Sequence, residues 1–296
     1  MSERSERETL PATPAEKADV LVEALPYIRK FFGSTVVVKY GGNAMTDPAL
    51  ARQFADDVVL MRSVGMRPVV VHGGGPQISA LMERLGMVPE FRDGLRVTDA
   101  ESLDIARMVL VGKVNRDIVS AVNVHGPLAV GLSGEDAGLI LASARNPELG
   151  FVGDVAAVNP GIVQRLLAEE LIPVVSTIGA DLAGQSYNIN ADTVAGALAE
   201  ALGAEKIVYL TDVEGLLADL DDPGSLISHI DATQLQKLVD TGVLTGGMIP
   251  KIAACVHAVE QGVGSAHILD GRIPHVLLLE VFTDSGIGTM ITKESQ

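Results

Sequence analysis

The segment Thr35-Val36-Val37-Val38-Lys39-Tyr40-Gly41-Gly42 is a β-branched, apolar run that ends in a lysine and two glycines. Unbroken Val, Ile and Leu runs of this kind are typical of strands buried on both faces of a mainly parallel sheet. Because helical patterns separate the runs, we predict a three-layer αβα sandwich around a mainly parallel, open sheet. The predicted strands are Thr35–Val38, Pro68–Val71, Leu128–Leu132, Ile172–Ser176, Ile207–Leu210 and Ala266–Leu269.

Three helix starts can be read between these strands. Asp47-Pro48 opens one helix with proline in the first turn, and Asn159-Pro160 opens another. Thr98-Asp99-Ala100-Glu101 is typical of a capping box, and the helix behind it should run to about Val122.

Two less regular segments shape the predicted domain organisation. Leu139–Val158 is broken by glycines and predicts antiparallel hairpins, with a lid over a substrate as one interpretation. The composition shifts to small and polar residues at Gly179–Gln185, which we interpret as a boundary between two lobes, residues 34–184 and 185–296.

The first 33 residues stand apart from this pattern. Residues 1–13 are polar and charged without a signal-peptide core, so we expect a disordered leader. Residues 14–33 predict a helix that Pro26 kinks. Two interpretations stay open: the helix folds back on its own domain, or it is exchanged with a partner subunit. Its apolar residues at helical spacing are Leu21, Leu25, Ile28 and Phe32.

Composition narrows the range of functions. The formal net charge of -16 argues against nucleic acid and against anionic membrane surfaces, which both attract basic proteins. The chain has no tryptophan and no uncharged apolar run of 18 residues, so stacking on bases and a membrane span are not expected. Cys255 is the single cysteine, which predicts a buried, inert thiol in a protein of the reducing cytoplasm.

Two lysines next to glycine-rich backbone are the main candidates for anion binding. Lys39 precedes Gly41-Gly42, whose bare amides suit an anion, although a solvated lysine at a strand end is the simpler interpretation. Lys251 follows Pro250 in the first turn of a predicted helix, where a cation opposes the helix dipole. Two cations with Asp192 between them in sequence suit a transferring phosphoryl group.

A second glycine turn lies in His72-Gly73-Gly74-Gly75-Pro76, between a predicted strand and a helix. The free amides of that helix start can hold a carboxylate or a phosphate. The turn is neither a dinucleotide fingerprint nor a P-loop, because Ile78 and Met248 stand where those motifs need glycine and lysine. We interpret His72 as a structural, hydrogen-bonded histidine.

Three polar segments leave alternatives open. Arg96 can clamp a carboxylate, or it can be a surface arginine paired with a neighbouring aspartate, Asp93 or Asp99. Asn188-Ile189-Asn190-Ala191-Asp192 supplies an ordinary helix cap, or it orients a substrate and the two lysines. Asp212, after a predicted strand, binds a nucleotide or caps its own loop.

In their order along the chain these motifs resemble the amino acid kinase family, over about residues 33–292. The resemblance implies an acylamino-acid-binding lobe and an ATP-binding lobe around one open sheet. It implies that Lys39 and Lys251 stabilise the transferring phosphoryl group and that Asp192 orients both. The implied substrate-binding residues are Gly74, Gly75, Arg96 and Asn188. The implied nucleotide-binding residues are Gly41, Gly42, Thr211, Asp212, Gly215, Leu216 and Met248, with the Val243–Met248 region closing over the nucleotide.

The activity implied by this resemblance is ATP-dependent phosphorylation of the γ-carboxylate of N-acetyl-L-glutamate to N-acetyl-L-glutamyl 5-phosphate, the second step of arginine biosynthesis. A carboxylate with a pKa of about 4.3 is already ionised at pH 7, so no general base is needed. Mg²⁺ should be carried mainly by the ATP phosphates and water rather than by protein ligands. A kinase of a related acylamino acid such as N-acetyl-aminoadipate, and a non-catalytic arginine-sensing scaffold, are the alternatives.

The kinked N-terminal helix resembles the extension of arginine-sensitive members of the family. The resemblance implies a homo-oligomer, a hexamer built as a trimer of dimers, that L-arginine inhibits by feedback. The implied arginine site comprises Lys206, His267, Glu280, Gly286 and Gly288, around the loop Ser285-Gly286-Ile287-Gly288.

Overall fold

A computed structural model describes residues 13–92, 94–219, 222, 224–240, 248–283 and 286–293. Residues 1–12 of the predicted leader lie outside the described residues, as do Asp93, Ser285 and residues 243–247 of the predicted nucleotide-closing region. No helix among the described residues is both long and apolar enough to cross a membrane.

The described residues contain fourteen strands and ten α-helices. The strands are β1 (Thr35–Tyr40), β2 (Arg67–His72), β3 (Phe91–Arg92), β4 (Leu95–Arg96), β5 (Ala129–Ser133), β6 (Ile140–Ala144), β7 (Val152–Val158), β8 (Ile172–Ser176), β9 (Ile178–Ala180), β10 (Ser186–Ile189), β11 (Lys206–Thr211), β12 (His229–Asp231), β13 (Ser265–Asp270) and β14 (Thr289–Thr292). The helices are α1 (Pro14–Phe31), α2 (Pro48–Ser63), α3 (Gly75–Arg84), α4 (Ala100–Arg107), α5 (Asn115–Asn123), α6 (Gly161–Ala168), α7 (Ala191–Leu202), α8 (Ala232–Asp240), α9 (Met248–Glu260) and α10 (Val276–Phe282).

The predicted open sheet is confirmed. Eight strands run in the order β12-β14-β13-β11-β1-β2-β8-β5. The six predicted strands are the six neighbours from β13 to β5, and each pair among them is parallel. The prediction missed β14, which pairs antiparallel with β13, and β12 at the edge beyond it. These two strands are short, so they carry little of the apolar pattern that marks the others.

The three-layer arrangement follows from the alternation of side chains along each central strand. In β1, Val37 belongs to one buried cluster, while Val36 and Val38 belong to the other, on the opposite face of the sheet. All three valines are fully buried. Helices α7, α8 and α9 supply residues to the first cluster, and α2, α4, α5 and α10 supply residues to the second. Each fully buried side chain of this size contributes about 1.5–3 kcal/mol relative to an exposed one.

The helix starts are largely as predicted, with one correction. Asp47 accepts hydrogen bonds from the first-turn amides of α2 behind Pro48. The N-cap of α4 is Asp99, which accepts from the Ser102 N–H, and not the threonine of the predicted capping box. The Thr98 hydroxyl instead donates its proton to the carbonyl of Arg96. The helix then continues through a π-helix, Met108–Val114, and α5, and ends at Asn123.

The hairpins expected in Leu139–Val158 are confirmed, because β6 and β7 pair antiparallel. Together with β9 and β10 they close into a small four-stranded barrel, β10-β7-β6-β9. Residues 181–185 form the connection between β9 and β10. This barrel brings β10, which leads into α7, next to the main sheet.

The predicted N-terminal helix is formed as α1, with Pro26 inside it. Its last residue, Phe31, is 5% exposed and belongs to the buried core, so this end of the helix packs on its own domain. Four apolar side chains nearer its start are largely exposed: Val20, Leu21, Val22 and Leu25.

Candidate active site

Two glycine turns lie side by side at the carboxyl edge of the sheet. Tyr40 at the end of β1 pairs with His72 at the end of β2. The Gly73 N–H donates to the Tyr40 carbonyl at 3.1 Å, which fixes the second turn to the first. The carboxyl ends of parallel strands are where open α/β sheets bind ligands.

Lys39 and Lys251, far apart in sequence, meet at a single carboxylate. Lys39 Nζ lies 3.0 Å from Asp192 Oδ1, and Lys251 Nζ lies 2.8 Å from Asp192 Oδ2. All three side chains are less than one fifth exposed. The strand order explains the meeting, because β1 lies next to β11 in the sheet while α7 and α9 pack together above it.

Asp192 is available to the lysines because another residue caps the helix. Asn190 is the N-cap of α7, and its Oδ1 accepts from the N–H groups of Asp192 and Thr193. The interpretation of this segment as an ordinary cap is therefore correct for Asn190, while Asp192 points to the two cations. The Tyr209 ring lies under the Lys251 ammonium at 6.0 Å, a contact that the sequence pattern did not indicate.

The electrostatic environment keeps Asp192 ionised. Its burial works to raise the pKa, but Lys39 and Lys251 outweigh the burial and lower the pKa below the usual value of an aspartate. The three groups together carry one net positive charge in a largely enclosed space. An anion that enters therefore meets a preorganised positive site.

Glycine is required in the first turn for two separate reasons. A Cβ on Gly41 would stand 2.7 Å from Lys39 Nζ, so a side chain there would displace the ammonium group. Gly42 has a φ of +72°, which glycine adopts without strain, and a Cβ there would stand 2.7 Å from Asp212 Oδ1. The turn thus brings bare backbone close to both a cation and a carboxylate.

The predicted substrate-binding residues share one cavity of about 200 Å³. Arg96 is 7% exposed, so its interpretation as a surface arginine is wrong. Its guanidinium donates to the Gly75 carbonyl at 3.0 Å and to Ser79 Oγ at 2.8 Å, and it lies over the Phe91 ring. The predicted residues that line this cavity are Gly74, Gly75, Arg96 and Asn188. Asp192 itself lines a second, larger cavity of about 880 Å³.

The predicted nucleotide residues lie mainly in the loop after β11. The Thr211 hydroxyl bonds to the Val213 backbone, and Gly215 has a φ of +149°. Thr289 Oγ1 of β14 accepts from the Leu216 N–H at 2.8 Å and so anchors the loop from a distant strand. Sequence reasoning missed Thr289, because nothing local marks a threonine 73 positions away. Met248 starts α9, and its side chain lies outside the described residues.

The predicted arginine-site residues form a separate buried cluster. His267 Nδ1 lies 2.7 Å from Glu280 Oε1, and His267 Nε2 lies 3.1 Å from Lys206 Nζ. Since an ammonium group only donates, Nε2 accepts and the Nδ1–H donates to Glu280. Ser265, which the sequence did not indicate, lies 2.8 Å from the same Nε2. The Phe31 ring of α1 lies 4.9 Å from the Lys206 ammonium.

The loop before β14 completes this cluster. The Ile287 N–H donates to Glu280 Oε2 at 3.3 Å. A Cβ on Gly286 would stand 3.4 Å from the same oxygen, and one on Gly288 would clash with the Ile268 carbonyl. Burial works to raise the pKa of Glu280, yet His267 and Lys206 lower it. Burial is also the main cause that lowers the pKa of His267.

Comparison with known proteins agrees with this geometry. Residues 34–270 match the sequence model of the amino acid kinase family. The chain belongs to the amino acid kinase family. The chain is 55% identical over 294 residues to the acetylglutamate kinase of Pelotomaculum thermopropionicum, and the alignment covers 95% of this chain and 100% of that protein. It is 56% identical over 287 residues to the acetylglutamate kinase of Saccharopolyspora erythraea, which covers 95% and 94% respectively.

Solved structures extend the comparison. The N-acetylglutamate synthase of Neisseria gonorrhoeae, complexed with coenzyme A and N-acetyl-glutamate, superposes with a TM-score of 0.82 at 29% identity. The match covers 94% of this chain and 64% of the synthase, so this family member spans less than two thirds of that protein. The same synthase has also been solved with coenzyme A and L-arginine. Carbamate kinase from Giardia lamblia bound to AMP-PNP, at 18% identity and a TM-score of 0.65, shares the fold over 88% of this chain and 99% of its own.

Proposed function

We propose that this protein transfers the γ-phosphoryl group of ATP to the γ-carboxylate of N-acetyl-L-glutamate and forms N-acetyl-L-glutamyl 5-phosphate, the second step of arginine biosynthesis. The observation that carries the proposal is the convergence of Lys39 and Lys251 on Asp192, next to two glycine turns. Relatives more than half identical to the chain are acetylglutamate kinases, which supports this acceptor.

In the proposed reaction a carboxylate oxygen of the substrate attacks the γ-phosphorus, and the bond to the β,γ-bridging oxygen breaks as ADP leaves. The substrate carboxylate is ionised near pH 7, so no base has to remove a proton. The protein must hold two anions in line and neutralise the charge that spreads over the phosphoryl oxygens. Lys39 and Lys251 supply that charge, and Asp192 keeps their ammonium groups in place between turnovers.

The substrate is proposed to occupy the cavity of Arg96, with the amides of Gly74 and Gly75 and the side chain of Asn188 on its walls. Residues 34–184 would then form the substrate lobe and residues 185–296 the ATP lobe. The Gly41-Gly42 turn and the loop from Thr211 to Leu216 are proposed to enclose the nucleotide, with Met248 beside it.

Mg²⁺ is proposed to arrive on the ATP phosphates. Within the described ranges, no group of three histidine, cysteine, aspartate or glutamate side chains converges as a metal cage. Mg²⁺ in kinase sites keeps several waters and binds through substrate phosphates, so this residue set fits a metal carried by the nucleotide. When bound, the ion adds positive charge to the phosphates.

The experiment that tests the activity traps the acyl phosphate. Purified protein with ATP, Mg²⁺, N-acetyl-L-glutamate and hydroxylamine should give a hydroxamate. N-acetyl-L-glutamine is the matched control acceptor, because it has the same length but no side-chain carboxylate. Absence of hydroxamate at high enzyme concentration would refute the proposal.

L-arginine is proposed to inhibit by binding at the cluster of Lys206, His267 and Glu280, with Gly286 and Gly288 in its wall. A guanidinium forms bidentate bonds with a carboxylate such as Glu280, and the ligand carboxylate suits Lys206. Calorimetric titration with arginine should give binding to the wild type and none to Glu280→Gln. Glu260→Gln, at an exposed glutamate of α9, is the control and should bind normally.

The protein is further proposed to act in the cytoplasm as a hexamer, a trimer of dimers, in which α1 is exchanged between subunits. The exposed Val20, Leu21, Val22 and Leu25 support this, because a helix that places four large apolar side chains in water has apolar surface available for a partner. Deletion of residues 1–32 should reduce the mass measured by light scattering and weaken arginine inhibition. An unchanged mass would contradict the exchange.

A further inference from the structure

His72 is buried beside the substrate cavity and takes no direct part in the proposed chemistry. It is fully buried, and its ring contacts two groups. Nδ1 lies 2.9 Å from the carbonyl oxygen of Gly73, and Nε2 lies 3.1 Å from Nδ2 of Asn115. Asn115 is also fully buried, so neither group exchanges its partners with bulk water.

The partners of His72 fix which ring nitrogen carries the proton. The Asn115 Nδ2 group only donates, and it also donates to the Val174 carbonyl at 2.8 Å, while Asn115 Oδ1 accepts from the Arg116 guanidinium. Nε2 of His72 must therefore be the acceptor in its contact with Asn115. It follows that Nδ1 carries the proton and donates to the Gly73 carbonyl, in a neutral ring. Burial lowers the pKa of His72 to about 4, which is consistent with this state.

The bond from His72 to Gly73 also fixes the next amide. The peptide between Gly73 and Gly74 is planar and trans, so its C=O and its N–H point in opposite directions. With the Gly73 carbonyl held on the His72 side, the Gly74 N–H is directed away from His72. Gly73 and Gly74 both line the cavity that also holds Arg96.

The π-helix holds the same turn from the other side. It places Leu110 and Val114 against Gly74, where a Cβ would stand 2.7 Å from Leu110 Cδ2 and 3.3 Å from Val114 Cγ2. Asn115 follows directly after this wide turn and reaches β2 and β8 at once. Single π turns inside α-helices often occur at functional sites.

We propose that His72 and Asn115 are positioning residues that orient the Gly73–Gly74 peptide so that the Gly74 N–H faces the transferring phosphoryl group. The inference rests on the proposed kinase function, because it specifies what the second glycine turn donates to. The pair acts only through the peptide, and neither side chain touches substrate. An amide donor held toward developing charge stabilises the transition state more than the ground state.

Two near-isosteric substitutions test the role of each ring nitrogen. In His72→Asn the side-chain amide nitrogen takes the place of Nδ1 and keeps the bond to Gly73, so kcat should stay within about 5-fold of wild type. In His72→Gln the side-chain amide takes the place of Nε2, with its oxygen accepting from Asn115, and the bond to Gly73 is lost. We therefore expect kcat to fall about 10- to 100-fold while both KM values change little. Asn115→Leu should resemble His72→Gln, and the double variant should be no slower than the slower single variant.

Asn123→Leu is the matched structural control. Asn123 lies on the same helix as Asn115, and its side chain makes three hydrogen bonds, to the start of β5 and the residue before it. This variant should unfold at a lower temperature with kcat unchanged. If His72→Asn and His72→Gln lose kcat equally, or if kcat follows thermal stability across all variants, the positioning role is overturned.

A binding measurement separates this inference from the proposed acceptor. ADP with aluminium fluoride and Mg²⁺ mimics the transferring phosphoryl group and needs no turnover of N-acetyl-L-glutamate. Its affinity should fall at least about 10-fold in His72→Gln and little in His72→Asn, while AMP-PNP affinity stays the same in both. A wild type that binds the mimic but does not phosphorylate N-acetyl-L-glutamate would refute the proposed function alone. An equal loss of affinity for the mimic in both variants would refute the positioning role alone.

Discussion

Asp192→Asn removes the carboxylate that holds Lys39 and Lys251 and leaves the side chain almost the same size. At an effective dielectric constant of about 20, contacts of 3.0 and 2.8 Å each represent roughly 5–6 kcal/mol of attraction. The two ammonium groups share one carboxylate, so they lie within about 8 Å and would repel by roughly 2 kcal/mol or more. The buried carboxylate also has a desolvation cost, and the substitution removes it. This gain offsets most of the lost attraction and the added repulsion. We expect a net loss of about 3 kcal/mol in the free energy of unfolding at pH 7.

The effect on catalysis should differ from the effect on nucleotide binding. Two lysines and one aspartate carry a charge of +1, and two lysines alone carry +2, so KM for ATP should be unchanged or lower. The unheld ammonium groups lose their alignment, and kcat should fall about 100- to 1000-fold. Hydroxamate kinetics and thermal unfolding with and without ATP measure both quantities. ATP should raise the melting temperature more in the variant than in the wild type.

Asp154→Asn is the control for removal of an ion pair. Asp154 lies 2.9 Å from Arg145 with both side chains more than two fifths exposed, so its loss should change stability by less than about 1 kcal/mol. Because the pKa of Asp192 is lowered, its contribution is present above about pH 4 and is lost as the pH falls further. The stability gap between Asp192→Asn and wild type should therefore narrow in acid. Wild-type kcat in Asp192→Asn would refute the reasoning.

Three further predictions concern single groups. Lys39→Ala and Lys251→Ala should each lower kcat at least about 100-fold in the hydroxamate assay, and an unchanged rate in either would exclude its role in charge neutralisation. Gly41→Ala should lower kcat about 10- to 100-fold because its Cβ displaces the Lys39 ammonium, whereas Gly112→Ala, with nothing within 4 Å, should leave kcat unaltered. Burial raises the pKa of Asp57 to about 6, so the folded state holds this proton at a higher pH than the unfolded chain does. The free energy of unfolding should therefore fall by up to about 3 kcal/mol as the pH rises from 4 to 6. Urea unfolding at stepped pH should show a flatter profile in Asp57→Asn, and identical profiles would contradict this.

The sequence alone determined the layers of the fold, because the signals for them are local. The unbroken apolar run that ends at Lys39 predicts a strand that is buried on both faces. This strand and the five other predicted strands form the parallel centre of the sheet. Asp47 followed by proline predicted a helix start because this signal is local too: the capping bonds reach only two or three residues along the chain. The order of the glycine, lysine and aspartate motifs pointed to the family that the comparisons then established.

Only the tertiary structure decided which groups meet. Lys39 and Lys251 share Asp192 because β1 lies beside β11 and because Asn190 takes the cap of α7, and neither fact is encoded in a local period. Thr289 reaches the Leu216 amide across the sheet, a contact that depends on where an edge strand lies. Periodicity reports how each residue is buried in its own element. The pairing of remote elements depends on strand order and register, which are set by the packing of the whole chain.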